Sequence, residues 1–149
     1  MLKLIFSMAE LDAEQLLDVY KEHNWDEVDF LSYLREDFFC QPGAFYAIWS
    51  EDAIYKSAVR LESYRDGLLL HSLETAPADR RKGYGYQLLS YLSDYLRTTE
   101  CKAVYSHIEK HNKASLALHM KCGFEIISDS ATYLDGTVTQ YSNTLRICL

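Results

Sequence analysis

The residues whose types and spacing could do chemistry lie mostly in one run, Leu73-Glu74-Thr75-Ala76-Pro77-Ala78-Asp79-Arg80-Arg81-Lys82-Gly83-Tyr84-Gly85-Tyr86-Gln87-Leu88-Leu89. A leucine-rich stretch stops at Pro77. The cations Arg80, Arg81 and Lys82 follow, and Gly83 and Gly85 come just before an amphipathic repeat. This order predicts a strand, a basic glycine-containing turn and a helix. The first turn of a helix carries unpaired backbone N–H groups and a partial positive charge, so it suits phosphate. Glycines let the backbone approach a pyrophosphate closely, and the three cations add charge to the same mouth. The bland alternative is a helix N-terminus with glycines for turning. The dinucleotide fingerprint G-x-G-x-x-G fails at Leu88, and the P-loop pattern G-x-x-x-x-G-K-[ST] is absent.

Outside this run the signals are weaker. His71 lies four residues before Thr75, so strand alternation puts both on one face and Glu74 on the other, unless a bulge re-aims it. His107-Ile108-Glu109-Lys110-His111 has its glutamate one position late for H-E-x-x-H and falls at a strand end, so no metal site is expected. Tyr33, Phe38, Phe39, Phe45, Tyr46 and Trp49 read mainly as core, with a pocket wall as the second reading. Asp26, Glu27, Asp29, Glu36 and Asp37 read as a solvated helix face.

The elements that must position these residues follow from periodicity. Leu2–Phe6 reads as a strand. Asp12 with Gln15 looks like a capping box, opening a helix with Leu16, Leu17 and Tyr20 inward. Val28, Leu31, Leu34 and Phe38 recur at helical spacing. Strands are expected over 44–49, 54–64 and 68–75, the last two joined by a turn at Asp66-Gly67. A helix over 82–98 carries the stripe Leu88, Leu89, Leu92, Tyr95 and Leu96. A strand over 103–108, a helix over 112–121 and strands over 124–133 and 139–147 complete the chain. The order implies an α/β fold with a central mixed sheet of about seven strands flanked by about four helices.

The bulk numbers agree with that fold. A chain of 149 residues, 48% hydrophobic and 25% charged, suits one compact domain over 1–149. A net charge of −7 disfavours a general nucleic-acid binder. Cys40, Cys101, Cys122 and Cys148 form no C-x-x-C pair and read as core residues or free thiols of a reducing compartment. The apolar N-terminal run is too short for a signal peptide or a membrane span. A cytoplasmic protein is therefore expected, without membrane partners.

Arg80-Arg81-Lys82-Gly83-Tyr84-Gly85 resembles the [QR]-x-x-G-x-[GA] signature of the GNAT superfamily of N-acetyltransferases. Asn112-Lys113-Ala114-Ser115-Leu116-Ala117-Leu118-His119-Met120-Lys121-Cys122-Gly123-Phe124 resembles its second motif, N-x-x-[AS]-x-x-[LF]-Y-x-x-x-G-F. The resemblance implies acetyl transfer from acetyl-CoA to a primary amine of a small molecule or a protein, directly in a ternary complex. It implies that the amides from Arg81 to Tyr86 hold the pyrophosphate. Leu73 and Thr75 would pair with the pantetheine arm, with the Thr75 amide on the thioester carbonyl. Asn112 would bond the pantetheine or the phosphate end, and Ser115 would also bind the cofactor. Where the family has its acidic tyrosine this chain has His119, which either replaces it or is merely tolerated. His71 and Glu74 are the two candidates for the base. The alternatives are a non-catalytic acyl-CoA-binding or sensing module on the same fold, and a nucleotide-binding α/β domain. A homodimer is left open.

Overall fold

The computed structural model describes residues 1–149. Its elements are β1 (Leu2–Ile5), α1 (Ala13–Val19), α2 (Glu27–Glu36), β2 (Phe45–Glu51), β3 (Ile54–Tyr64), β4 (Gly67–Thr75), α3 (Tyr84–Leu96), β5 (Ala103–Glu109), α4 (Lys113–Lys121), β6 (Glu125–Ser128), β7 (Ala131–Thr132), β8 (Val138–Thr139) and β9 (Ser142–Cys148). A seven-stranded sheet runs in the order β1-β2-β3-β4-β5-β9-β6, and β7 and β8 form a separate ribbon. All neighbours are antiparallel except β4 and β5. No helix is long and apolar enough to cross a membrane.

Strand alternation sorts the core into two layers. Phe45, Ala47 and Trp49 of β2 pack with Leu88, Leu89, Leu92 and Leu96 of α3 on one face. Tyr46 and Ile48 pack with Leu16, Phe30 and Leu34 of α1 and α2 on the other. Asp12 caps α1 by accepting from the Gln15 amide at 3.1 Å, and Asp26 caps α2 by accepting from Asp29. Such caps are worth about 1 kcal/mol each. The burial in α2 differs from the stripe expected. Val28 is 74% exposed, and Phe30 is buried in its place, beside Leu34 and Phe38 as expected. Tyr95 likewise faces out of α3. The two long C-terminal strands expected from sequence are each interrupted, giving β6 and β7, then β8 and β9. The residues that turn away from the sheet form the small ribbon.

Two irregularities shape the middle of the sheet. The parallel pairing of β4 with β5 stops at Leu70 opposite Ser106, although both strands run on. Beyond that point they splay apart. On its other edge β4 carries a bulge against β3, where Ala58 faces Glu74 but Arg60 faces His71. Ser72 within the bulge has φ of +55°.

Candidate active site

The bulge decides which side chains meet. An extra residue in a strand reverses the facing of everything beyond it. Leu70 and Leu73 both contribute to the α3 layer, whereas regular alternation would have separated them. Thr75 follows Leu73 onto that face. An added Cβ on Gly85 of α3 would lie 3.7 Å from Thr75 Oγ1 and 3.2 Å from Leu118. Glu74 is thereby turned to the α1/α2 face, where His71 already lies opposite Arg60. The expectation that His71 shares a face with Thr75 is thus corrected: Glu74 is the residue that shares a face with His71.

The strained φ at Ser72 costs about 1–2 kcal/mol. It is held from outside by two bonds. The Tyr20 hydroxyl donates to the Ser72 carbonyl. Arg60 Nη2 donates to Ser72 Oγ at 2.6 Å. Burial pushes the Tyr20 phenol well above its ordinary pKa, so it remains a donor throughout the neutral range.

The backbone of β4 beyond the bulge faces two ways. The Ala76 amide donates to the Lys56 carbonyl, and Ser57 Oγ donates to the Glu74 carbonyl at 2.7 Å. Residues 74 and 76 therefore spend their backbone groups on β3. Alternation sends those of Leu73 and Thr75 into the gap left by β5.

That gap continues into the turn before α3. The turn has Arg81 at φ +63° and Gly83 at φ +85°, the latter a conformation that favours glycine. No side chain caps α3. The amides from Arg81 to Tyr86 donate to no protein acceptor; the first helical bond is Gln87 N–H to the Gly83 carbonyl. A Cβ at Gly83 would meet nothing within 4 Å, so the approach is open. The groove beside it is lined by Leu73, Thr75, Gly85, Asn112 and Ser115 among others and opens to solvent over about 910 Å³. Asn112 is the cap of α4, accepting from the Ser115 amide at 3.2 Å.

The basic side chains are deployed more widely than their sequence positions suggested. Arg80 reaches Glu22 at 2.7 Å and Glu74 at 3.4 Å. Lys82 pairs with Asp79 at 3.1 Å. Burial raises the Asp79 pKa, but hydrogen bonds from Lys82 and Lys56 outweigh it and hold the carboxyl below its usual range. The Tyr84 hydroxyl donates to Glu51 at 2.9 Å. Tyr86 lies under the Lys121 ammonium, 4.5 Å from its ring centroid. Of Arg80, Arg81 and Lys82, only Arg81 forms no ion pair.

His119 is 1% exposed. Its Nδ1 lies 2.8 Å from the Ser115 carbonyl, which can only accept. The ring proton is therefore on Nδ1, and the bare Nε2 accepts from Ser106 Oγ at 3.2 Å. Burial lowers the His119 pKa and outweighs the Ser115 bond, so the ring is neutral at neutral pH. Ser106 and His119 line the cleft between β4 and β5 together with Leu73 and Glu74.

Glu74 lines this cleft, the groove beside α3 and a third cavity on the α1/α2 face. It stands where the three meet. Its Oε1 lies 2.8 Å from His23 Nε2. His71 lies 2.9 Å from Glu62 Oε1, out of line for a hydrogen bond. Glu62, Ser106 and His23 were not singled out in the sequence. Glu62 at 7% exposure is a buried carboxylate in a strand, but only the register opposite His71 gives it meaning.

The arrangement is an uncapped helix entrance, a splayed pair of parallel strands and a bulged central strand between them. The model of the acetyltransferase (GNAT) family matches residues 7–124, most of the chain. The chain belongs to that family. L-methionine sulfoximine/L-methionine sulfone acetyltransferases of Pseudomonas paraeruginosa and Pseudomonas aeruginosa are 38% identical over 65 residues, covering 44% of this chain. The match spans 37% of those relatives' length. Among solved structures, ribosomal-protein-alanine N-acetyltransferase from Brucella melitensis superposes with a TM-score of 0.72 at 19% identity, over 100% of this chain and 99% of that one. PaiA N-acetyltransferase from Thermoplasma acidophilum, solved with coenzyme A, gives 0.68 at 14% identity over 100% and 99%. At those identities the likeness concerns the fold.

Proposed function

We propose that the chain is an acetyl-CoA-dependent N-acetyltransferase that passes the acetyl group directly to a primary amine in a ternary complex. One observation carries the reading. The unpartnered amides of Arg81 to Tyr86 lead without a break to the gap where Leu73 and Thr75 have no strand beside them. That path suits a diphosphate followed by an extended arm that bonds as an added strand would. The Pseudomonas relatives are named for acetylating methionine sulfoximine and sulfone, which supports a small-molecule amine. The absence of any disulfide among the cysteines supports placement in the cytoplasm.

When bound, acetyl-CoA supplies an activated acyl thioester. The residues of the chain do the rest. Asn112 and Ser115 flank the arm, and the Thr75 amide donates to the carbonyl oxygen as charge develops on it. A primary amine is mostly protonated near neutrality. Glu74, at the junction of the cavities, takes the first proton and shares it with His23; His71 beside Glu62 is the second route. His119 rests without a proton on Nε2, so it cannot begin as an acid. It takes the second proton from the attacking nitrogen through Ser106 Oγ, then returns it by the same hydroxyl to the departing sulfur. The test is release of free thiol from acetyl-CoA with a panel of primary amines. The bare Nε2 also favours a second reading, a non-catalytic acyl-CoA-binding module. Tight acetyl-CoA binding with no thiol release on any amine would select that one.

A further inference from the structure

The cavity on the α1/α2 face, which Glu74 shares with the groove beside α3 and which the acetyl-transfer reading gives to the acceptor, measures about 420 Å³ including its open mouth. Its walls are the rings of Tyr20, Trp25, Phe30 and Tyr46, and its charged groups include Arg60 and Glu74. Glu74 is balanced by Arg80 and hydrogen-bonded to His23. Arg60 is not balanced. Its guanidinium is held by two neutral hydroxyls, Tyr33 and Ser72, and stacks 5.3 Å from the Tyr33 ring and 5.8 Å from the Phe38 ring. Its Nε has no hydrogen-bond partner, and no carboxylate of the protein pairs with it. A partly buried cation without a counter-charge is costly. This one is also pre-oriented, since two anchored nitrogens and two aromatic faces fix the plane of its fork.

From these groups we infer that the acceptor is a small amino acid, one carrying a carboxylate close to its amine and an apolar or aromatic side chain. The inference rests on the acetyl-transfer reading above and names the substrate class of that site. The carboxylate sits on Arg60. The amine points to Glu74 and the thioester. The side chain lies among the four rings. Arg60 and Glu74 are on one sheet face at register positions two residues apart along β3, roughly 7 Å at the backbone, a span that two side chains and an amino acid can bridge. A polyamine would bring a second cation against Arg60. A peptide N-terminus would offer it only a neutral amide carbonyl.

The experiment compares an apolar α-amino acid, its primary amide and the corresponding decarboxylated amine as acceptors, reading thiol release. Saturable quenching of Trp25 fluorescence by each compound, with coenzyme A present, is read in parallel. The acid is expected to exceed the amide and the amine about 10- to 100-fold in kcat/KM. In Arg60→Gln that ratio falls towards one. Ser72→Gly cuts the same serine bond but keeps the guanidinium, and it retains the preference even if its overall rate drops. Arg60→Lys keeps the charge without the fork and lies between. Preference for the amide, the amine or a polyamine in the wild type overturns the inference, as does an unchanged ratio in Arg60→Gln. Amino-acid quenching lost in Arg60→Gln, but with no thiol released from any amine, would support the carboxylate site while removing the transfer reading. Thiol release from amines without the acid preference does the reverse.

Discussion

The two faces of the sheet offer different means of recognition. On the α3/α4 face the groups that matter are mostly backbone: the amides of Arg81 to Tyr86, and the Leu73 and Thr75 edge freed by the splay. On the α1/α2 face they are side chains, with four rings and the charges of Arg60 and Glu74. A backbone site is indifferent to most substitutions but demands a particular path of the chain, so it suits an invariant co-substrate. A side-chain site can change its ligand one residue at a time. Glu74 belongs to both, because the bulge at Ser72 turns it to the acceptor side while its neighbours on the strand stay with the groove.

Substitutions that act on one face only would sharpen this contrast. The largest effect is expected from Gly83→Asp. It places a carboxylate at the uncapped entrance of α3, where nothing else blocks it. Coenzyme A affinity by calorimetry should fall about 100-fold, with amino-acid quenching of Trp25 preserved; unchanged affinity would break the assignment of that face. His119→Ala and Ser106→Ala should each lower kcat about 100-fold or more with little change in coenzyme A affinity. Their double variant should be no worse than either, because the pair acts as one relay; additive losses would separate them.

Smaller effects are expected from the two base candidates. Glu74→Gln should lower kcat/KM about tenfold and alter the acid limb of its pH profile. His71→Gln should do so less, since His71 lines the cleft but not the acceptor cavity; equal profiles for both variants and wild type would remove both from proton transfer. The smallest effect concerns stability. Burial lowers the pKa of His119 and of His107 below the 6.5 of the free ring. The unfolded chain therefore binds more protons as pH falls below about 6.5, and stability declines from there downward. Denaturant midpoints should show this decline, and His119→Gln should make it shallower.

The face proposed to hold the cofactor was legible in the sequence because backbone sites leave a chemical trace there. Gly83 at a positive φ, Gly85 close against Leu118 and Asn112 as a cap are each favoured by residue type. The helices and most strands could be found from periodicity alone. The faces of α2 could not be settled that way: Val28 fits the stripe as well as Phe30 does, and only packing chose between them. The bulge left no sign, since Ser72 is an ordinary residue in an unusual conformation. One unseen insertion was enough to misplace His71 relative to Thr75. The acceptor site was hidden for a related reason. Tyr20, Trp25, Arg60 and Glu74 are brought together across four segments by a register that no spacing encodes, and the same holds for Glu62 beside His71.

The manner in which Ser72 is tethered has a kinetic corollary. Its carbonyl is gripped by Tyr20 and its hydroxyl by Arg60, both residues of the aromatic cavity, and three positions further along the strand lies the Thr75 amide, which the acetyl-transfer reading sets on the reacting carbonyl. On that reading, acceptor occupancy and donor alignment are geared to each other through a single kink. A compound that fits the cavity poorly leaves that gear slack, so discrimination between acceptors would be written into turnover as much as into affinity.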